Sequence, residues 1–452
     1  MDADGRLSSL RRRFVLISAL NWLPIAMAMA VLIVLMDSRG LDLNVIGLIL
    51  ALYGLTTVVL ELPTGGLADV ISRRGVLAVS AGVGTVALAG AAFATAAWQF
   101  TILYMLFGVA RALSSGPAEA WYVDSVKAVR ADADIRKGLA AASVAGAIAL
   151  GSGTIIGGSL ALLPIFPESG PVTAVSAPML LATLLNLVLL VTVVVGMRES
   201  TRPRTQVRLR AVVADVPRTV GSGIALGVRN RVLARLLLTV FPVGVALTSV
   251  ELLTPRRLLD LTGDSGTSAG VYGVIAAIGF ASHAVGASLS SPLASLSGGA
   301  VRGVVAGTLV TMLGPVSLFA TGGLEGTASV VATAGGYALM FLGLGLNGPL
   351  HSELTHHQVE SKQRATVVSI KSLVMQGGGS LSNVTLPLLA GAWSIPGAWL
   401  VAGLLVGASA VLYIGIYRPA ERPPDHGPEQ DEPASEPSDR TDAELQLPRS
   451  GR

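Results

Sequence analysis

Three ionisable side chains lie inside otherwise apolar stretches of the sequence and are the first candidates for chemistry. Glu61 lies sixteen residues into one apolar run, and Arg111 and Glu119 lie eight residues apart in another. A charge inside a bilayer is costly unless it faces a cavity or a partner. An apolar environment favours the protonated form of a carboxylate, and a nearby arginine favours the ionised form. A carboxylate that moves between these two environments would therefore bind and release a proton. A permanent ion pair between helices and direct contact with a substrate are the alternatives.

Further polar side chains in the apolar stretches are candidates for the lining of a central cavity. They are Asn21, Trp22, Tyr53, Gln376 and Asn383. Gln376 and Asn383 are seven residues apart, which places both on one face of a helix. The sequence therefore predicts a small-molecule site within a bundle of helices.

The composition argues against an enzyme. Hydrophobic residues make up 52% of the 452 residues and charged residues 13%, whereas about a quarter of a soluble domain is charged. Cysteine is absent, which excludes thiolate metal sites and thiol catalysis. We find neither a phosphate-binding Gly-Lys-Ser/Thr loop nor a ligand set for a metal ion, so we expect no cofactor and no metal.

Long apolar stretches recur along the whole chain. A bilayer core about 30 Å thick requires roughly 20 apolar residues for each helix. We therefore predict an all-α membrane protein with twelve transmembrane helices. The predicted spans are 14–36, 45–68, 75–97, 98–120, 138–163, 172–196, 232–254, 268–294, 301–322, 326–350, 365–391 and 397–417.

Basic residues predict the orientation of these spans. Of the 32 Lys and Arg residues, 26 lie in the termini and in loops on one side, and 3 lie in loops on the other. Because Lys and Arg concentrate on the cytoplasmic side, we expect both termini to be cytoplasmic in a bacterial inner membrane. The net charge of +4 then reflects topology, and no nucleic-acid partner is expected.

The spans divide into two groups of six. The predicted domains are the half 1–196, a cytoplasmic loop at 197–231, the half 232–417, and a disordered cytoplasmic tail at 418–452 that is rich in proline and charge. Gly116-Pro117 and Gly348-Pro349 occupy corresponding places in the two halves. This match favours a duplication, and hence two six-helix pseudo-repeats.

A short charged segment between the second and third spans contains Gly65, Leu67, Asp69, Arg73 and Arg74. Its carboxylate could accept hydrogen bonds from the first N–H groups of a neighbouring helix and latch one conformation. A charged loop that follows the positive-inside rule is the simpler interpretation.

This segment resembles the GxLaDrxGrkxxL loop of the major facilitator superfamily. Val70 and Ser72 depart from the usual residues, and the corresponding stretch 291–298 in the second half lacks the aspartate. The resemblance implies two six-helix halves around a central site and a latch role for Asp69 with the two arginines. In that superfamily an arginine of the fourth span is often implicated in coupling, which implies such a role for Arg111.

The fifth span carries small residues at Gly153, Thr154, Gly157 and Gly158. They line one helix face, and close packing against a neighbouring helix explains the pattern by itself. The stretch also resembles the gxxxGPxxGG motif of proton-coupled antiporters in the superfamily, with Thr154 in place of the proline. This second resemblance favours antiport over uptake.

Two charges at predicted inner ends of spans, Asp124 and Arg364, are candidates for an inner gate. We expect them to pair across the two halves when the cytoplasmic side is closed. The segments 115–125 and 364–369 resemble a bacterial drug/proton-antiporter branch of the superfamily.

Together these features predict a monomeric secondary transporter that works by alternating access. We expect it to export a small, partly hydrophobic compound or drug in exchange for protons. Proton-coupled uptake of a small metabolite is the first alternative. A non-transporting membrane receptor or scaffold is the second, and for that class a large soluble domain would be expected.

Overall fold

The computed structural model describes residues 3–70, 72–164, 166, 170–197, 230–359 and 364–416, and at 62–70 and 365 it describes the backbone alone. All regular structure within these ranges is helical. The predicted tail lies wholly outside them and the predicted central loop almost wholly. The proposed division into halves, loop and tail therefore stays a prediction.

Thirteen α-helices and three short 3-10 helices make up the regular structure of the described residues. The α-helices are α1 (Ala3–Ser38), α2 (Leu43–Val70), α3 (Arg73–Phe93), α4 (Ala97–Ser114), α5 (Pro117–Val129), α6 (Arg136–Ala161), α7 (Ala177–Gly196), α8 (Arg231–Thr262), α9 (Ser265–Ser297), α10 (Ala300–Ala320), α11 (Gly326–His356), α12 (Arg364–Ala392) and α13 (Ile395–Ser409). The 3-10 helices are Ala174–Ser176, Thr321–Gly323 and Ala410–Tyr413.

Every predicted span overlaps one of these α-helices. In the described part of the chain, 10 helical segments are long and apolar enough to cross a membrane. The two predicted spans without such a segment are 98–120 and 365–391, which contain Arg111 and Lys371 respectively. The count of twelve membrane-spanning helices therefore stays a prediction.

The predicted span 98–120 is not one continuous helix, which corrects the sequence interpretation. α4 ends at Ser114, and α5 begins at Pro117. Gly116 between them has φ of +90°, a conformation that glycine adopts without a Cβ clash. Proline suits the first turn of a helix, where its missing N–H leaves no bond unmade. The chain consequently turns between Arg111 and Glu119.

Some helices continue past the predicted ends of their spans. The sequence predicts a span that ends at 254, but α8 reaches Thr262, with Pro255 inside it. Prolines inside membrane helices are tolerated because neighbouring helices and side chains compensate for the lost backbone hydrogen bond. Residues close to 254 are therefore internal to a long helix.

Large apolar side chains cover much of the outer surface of the helices. Val195 is 71% exposed, Ile148 64% and Val86 60%, and these three lie on different helices. Soluble monomers rarely expose extensive apolar patches. The exposed apolar faces suit contact with lipid.

Close helix approaches join residues 3–197 to residues 230–416. At Gly158 of α6, an added Cβ would lie 2.5 Å from the carbonyl oxygen of Ala269 on α9. At Gly47 of α2, an added Cβ would collide with the backbone of Asn383 on α12. Both contacts lie in the halves of these helices that are predicted to face outward.

Candidate functional site

Two adjoining cavities lie between the helices. The larger is about 710 Å³ and is lined mainly by α1, α4, α5, α6 and α12. The smaller is about 360 Å³ and lies between α1, α2, α4, α8 and α12. Trp22, Arg111, Met375 and Gln376 line both and so mark the junction.

The larger cavity contains all three predicted coupling residues. Glu61 Oε2 accepts a hydrogen bond of 3.0 Å from Gln376 Nε2, and its Oε1 lies 3.4 Å from Ser115 Oγ, which donates to it. Glu119 is exposed to the cavity near the start of α5. The structure thus places Glu61 where α2, α12 and the turn after α4 meet.

Arg111 interacts with an aromatic ring. Its guanidinium carbon lies 4.8 Å from the centroid of the Trp22 ring, within the range of a cation–π interaction. Among the described residues, no carboxylate forms a salt bridge with Arg111. The arrangement places Arg111 between the two cavities, where it can reach a ligand in either.

Four of the five predicted cavity residues line the smaller cavity: Trp22, Tyr53, Gln376 and Asn383. Asn21 lines the larger one. These residues of α1, α2 and α12 thus lie around the two adjoining cavities, and their contact with a ligand stays a prediction.

Sequence reasoning missed Glu251, which lines the smaller cavity from α8. The predicted span 232–254 places this carboxylate three residues from its end, and Glu251 is not among the predicted site residues. Because α8 continues to Thr262, Glu251 lies well inside the helix. The signal in the sequence was a carboxylate twenty residues into an apolar run that begins at 232.

Polar contacts lie on the predicted outer side of the cavities. Asp37 at the end of α1 forms a salt bridge with Arg256 of α8, and Arg256 Nη2 also lies 2.9 Å from Asp260 Oδ1. Arg39 donates hydrogen bonds of 2.9 Å and 2.7 Å to the carbonyl oxygens of Gly170 and Pro171. The first of these contacts joins residues 3–197 to residues 230–416.

The predicted inner ends carry a different ion pair. Asp124 of α5 pairs with Arg73 at the start of α3, within residues 3–197. Arg364, its predicted gate partner, has an exposed side chain at the start of α12. A gate pair would belong to a state with a closed cytoplasmic side, so the pairing stays a prediction.

The loop motif is only partly described. Gly65, Leu67 and Asp69 lie where the structure gives the backbone alone, so a latch through Asp69 stays a prediction. Ser72 caps α3, because its Oγ accepts a hydrogen bond of 2.9 Å from the N–H of Gly75. Arg74 follows in the first turn of that helix.

The small residues of the fifth predicted span lie at close helix contacts. An added Cβ at Gly157 would lie 2.6 Å from the carbonyl oxygen of Met27 on α1, and one at Gly153 would lie 2.6 Å from the Ala26 Cβ. Thr154 is fully buried, and its Oγ1 donates a hydrogen bond of 2.9 Å to the Gly151 carbonyl oxygen. These contacts fit the packing interpretation, and the antiporter resemblance of the same residues stays a prediction.

Comparison with known proteins establishes the family to which the chain belongs. A family model described as the Major Facilitator Superfamily matches residues 14–349, well over half of the chain. The chain belongs to the major facilitator superfamily. It is accordingly a multi-pass membrane protein with the fold of a secondary transporter, which confirms the coarser part of the sequence prediction.

Solved structures of several transporters share its fold. The crystal structure of the nucleoside transporter NupG aligns with a TM-score of 0.72 at 15% identity, covering 90% of this chain and 100% of that one. A D-xylose-proton symporter aligns with a TM-score of 0.69 at 12% identity over 91% and 98%. A POT family transporter in complex with 5-aminolevulinic acid aligns with a TM-score of 0.67 at 15% identity, covering 89% of this chain and 94% of that one. Likeness at these identities shows the fold alone.

A search of curated protein sequences returns no match. In the part of the chain that the structure describes, no three His, Asp or Glu side chains are grouped as a metal site would require. The substrate class must therefore be argued from the two cavities themselves.

Proposed function

We propose that the protein exports a small, partly hydrophobic compound in exchange for protons by alternating access. The observation that carries this proposal is the position of Glu61 in the larger cavity, where Gln376 of α12 donates a hydrogen bond to it. A carboxylate at such a junction changes its hydrogen bonds when the helices separate, and its affinity for a proton changes with them.

Arg111 and Glu119 complete the proposed coupling site. Arg111 shares the larger cavity with both carboxylates, and it rests on Trp22 instead of a described carboxylate. A helix movement that brings Arg111 towards Glu61 would favour the ionised carboxylate and release the proton. A movement away would favour proton uptake.

The proposal includes a membrane arrangement. Twelve spans form two six-helix halves in the cytoplasmic membrane, both termini are cytoplasmic, and the protein works as a monomer. The contacts of α6 with α9 and of Asp37 with Arg256 then close the extracellular side. The larger cavity, which the first turns of α5 and α6 help to line, then faces the cytoplasm.

Export is favoured over uptake by two features. The antiporter-like small residues of α6 are one, and the apolar lining of the smaller cavity, which suits a hydrophobic compound, is the other. Proton-coupled uptake is the second candidate, because a D-xylose-proton symporter is among the proteins that share the fold.

Transport into inverted membrane vesicles tests the proposal. With an acidic interior, we expect hydrophobic fluorescent compounds to accumulate, and a protonophore to abolish the accumulation. Glu61→Gln should reduce proton-driven accumulation at least about tenfold, because glutamine cannot exchange a proton. The matched control is Glu325→Gln, an exposed residue at the start of α11. Accumulation only in right-side-out vesicles would establish uptake instead.

A further inference from the structure

The smaller cavity contains a carboxylate that no described cation neutralises. Within the described residues, no Lys, Arg or His forms a salt bridge with Glu251. Two arginines follow it on α8, but both are engaged elsewhere. Arg256 pairs with Asp37 and Asp260, and Arg257 Nη2 donates a 3.5 Å hydrogen bond to the Thr321 carbonyl oxygen.

Arg111 is the other charged residue of the smaller cavity. It lies at the junction with the larger cavity, and its guanidinium packs on the Trp22 ring. Glu251, by contrast, lines only the smaller cavity and not the larger one. The smaller cavity therefore holds a carboxylate that has no counter-ion among the described residues, and burial of its ionised form is costly until a ligand compensates the charge.

An aromatic cluster also lines the smaller cavity. Tyr53, Tyr104 and Phe107 lie with their ring centroids 6.0–6.1 Å from one another. Ring faces attract cations and also contact apolar groups. Together with Glu251, this cluster favours a ligand that combines a positive charge with an apolar body.

Two buried polar atoms in the same cavity have unused hydrogen-bonding capacity. Asn383 Oδ1 and the Tyr104 hydroxyl are buried and find no partner among the described residues. Buried polar groups are nearly always hydrogen-bonded, so a bound molecule can supply the partners that these two atoms lack. An amide oxygen accepts, which suits an N–H donor on the ligand.

We propose that the smaller cavity is a binding site for an organic ammonium compound. The ammonium group pairs with the Glu251 carboxylate, and one of its N–H groups donates to Asn383 Oδ1. The apolar body packs on the rings of Tyr53, Tyr104 and Phe107. This assignment rests on the proposed transport function, for which it names the substrate class.

Equilibrium binding to the purified full-length protein in detergent tests the assignment. The probes are 3-phenylpropylammonium and 3-phenylpropan-1-ol, which share an apolar body and a polar head but differ in charge. We expect the wild-type protein to bind the cation at least about tenfold more tightly than the alcohol, because a desolvated carboxylate and ring faces favour the charge.

Substitutions at one position locate the charge preference. Glu251→Gln should weaken binding of the cation about tenfold and leave binding of the alcohol unchanged, because only the charge is removed. Glu251→Asp should retain the preference, and Glu325→Gln should behave as the wild type. Equal binding of the two probes to the wild-type protein, or an undiminished preference in Glu251→Gln, would overturn the assignment.

The binding assay separates this site from the coupling mechanism. It needs no proton gradient, and its wild-type comparison needs no variant that must fold. If Glu61→Gln leaves proton-driven transport intact while the charge preference holds, the proposed coupling fails and the ammonium site stands. If the charge preference is absent while transport remains proton-driven, the ammonium site fails and the coupling stands.

Discussion

Gln376 of α12 donates a hydrogen bond of 3.0 Å from its Nε2 to Oε2 of Glu61 on α2. The bond joins residues 3–197 to residues 230–416 beside the larger cavity, and Ser372 Oγ lies 3.0 Å from the same nitrogen. An ionised carboxylate is a stronger acceptor than a protonated one. Protonation of Glu61 would therefore weaken a contact that alternating access must break.

We expect Gln376→Leu to disturb coupling through Glu61. Each of Gln376→Leu and Glu61→Gln should lower proton-driven transport about tenfold, and the double variant should lower it little further. Residues that share one interaction are non-additive by about 0.5–3 kcal/mol. Initial rates in proteoliposomes at several imposed pH gradients would measure this, and fully additive losses would contradict the coupling.

Much of the fold could be predicted from the sequence, because membrane helices are encoded by local composition. Each predicted span overlaps an α-helix of the described residues. The packing role of Gly153 and Gly157 was also predictable, since small residues spaced along one face allow close helix approach. Both inferences needed only short-range patterns.

The site was predictable only in part, because it depends on where helices bend and end. The turn at Gly116 separates Arg111 from Glu119, although the sequence predicts one continuous span, 98–120, that contains both. Glu251 is absent from the predicted site residues; the predicted span ends at 254, whereas α8 extends to Thr262 and places Glu251 well inside the helix. The contact between Glu61 and Gln376 joins residues 315 apart in the chain, which no local pattern specifies.

The close approach of α6 and α9 gives a second prediction. An added Cβ at Gly158 would lie 2.5 Å from the Ala269 carbonyl oxygen, whereas Gly151 has no such neighbour within 4 Å. We expect Gly158→Ala to destabilise the protein by about 1–3 kcal/mol through overpacking. Gly151→Ala should leave stability unchanged or slightly raised, because alanine favours helix. Thermal unfolding in detergent measures both, and equal midpoints would contradict the expectation.

The salt bridge between Asp37 and Arg256 gives a third prediction. Asp37→Asn should favour opening of the predicted outer side, since one charge of the pair is lost. Thr248 lines the smaller cavity, and the natural chain contains no cysteine, so Thr248→Cys provides a unique label. Labelling by an impermeant maleimide from outside should rise about two- to fivefold, as expected for a partly exposed pair. Asp42→Asn, an exposed residue at the start of α2, is the control and should leave labelling unchanged.

Asp264 gives a prediction of pH dependence. It caps α9, and its Oδ2 accepts a hydrogen bond of 2.6 Å from the N–H of Thr267. Hydrogen bonds from the side chain and backbone of Thr267 lower the pKa of Asp264 below its ordinary value. A carboxylate with a lowered pKa stabilises the fold above its unfolded pKa, and that stabilisation is lost as the pH falls through the folded value.

Substitutions of the cap test this dependence. Asp264→Ala should cost about 1 kcal/mol at neutral pH. The gap between wild type and Asp264→Ala should shrink as the pH falls below about 3.9, the ordinary pKa of an aspartate. Asp264→Asn should keep its cap at neutral and at acidic pH, because the asparagine side-chain oxygen accepts the same hydrogen bond and the amide does not titrate. Denaturation midpoints at neutral and acidic pH would measure these gaps. A wild-type-to-alanine gap that does not change with pH would show that the carboxylate charge contributes nothing to the cap.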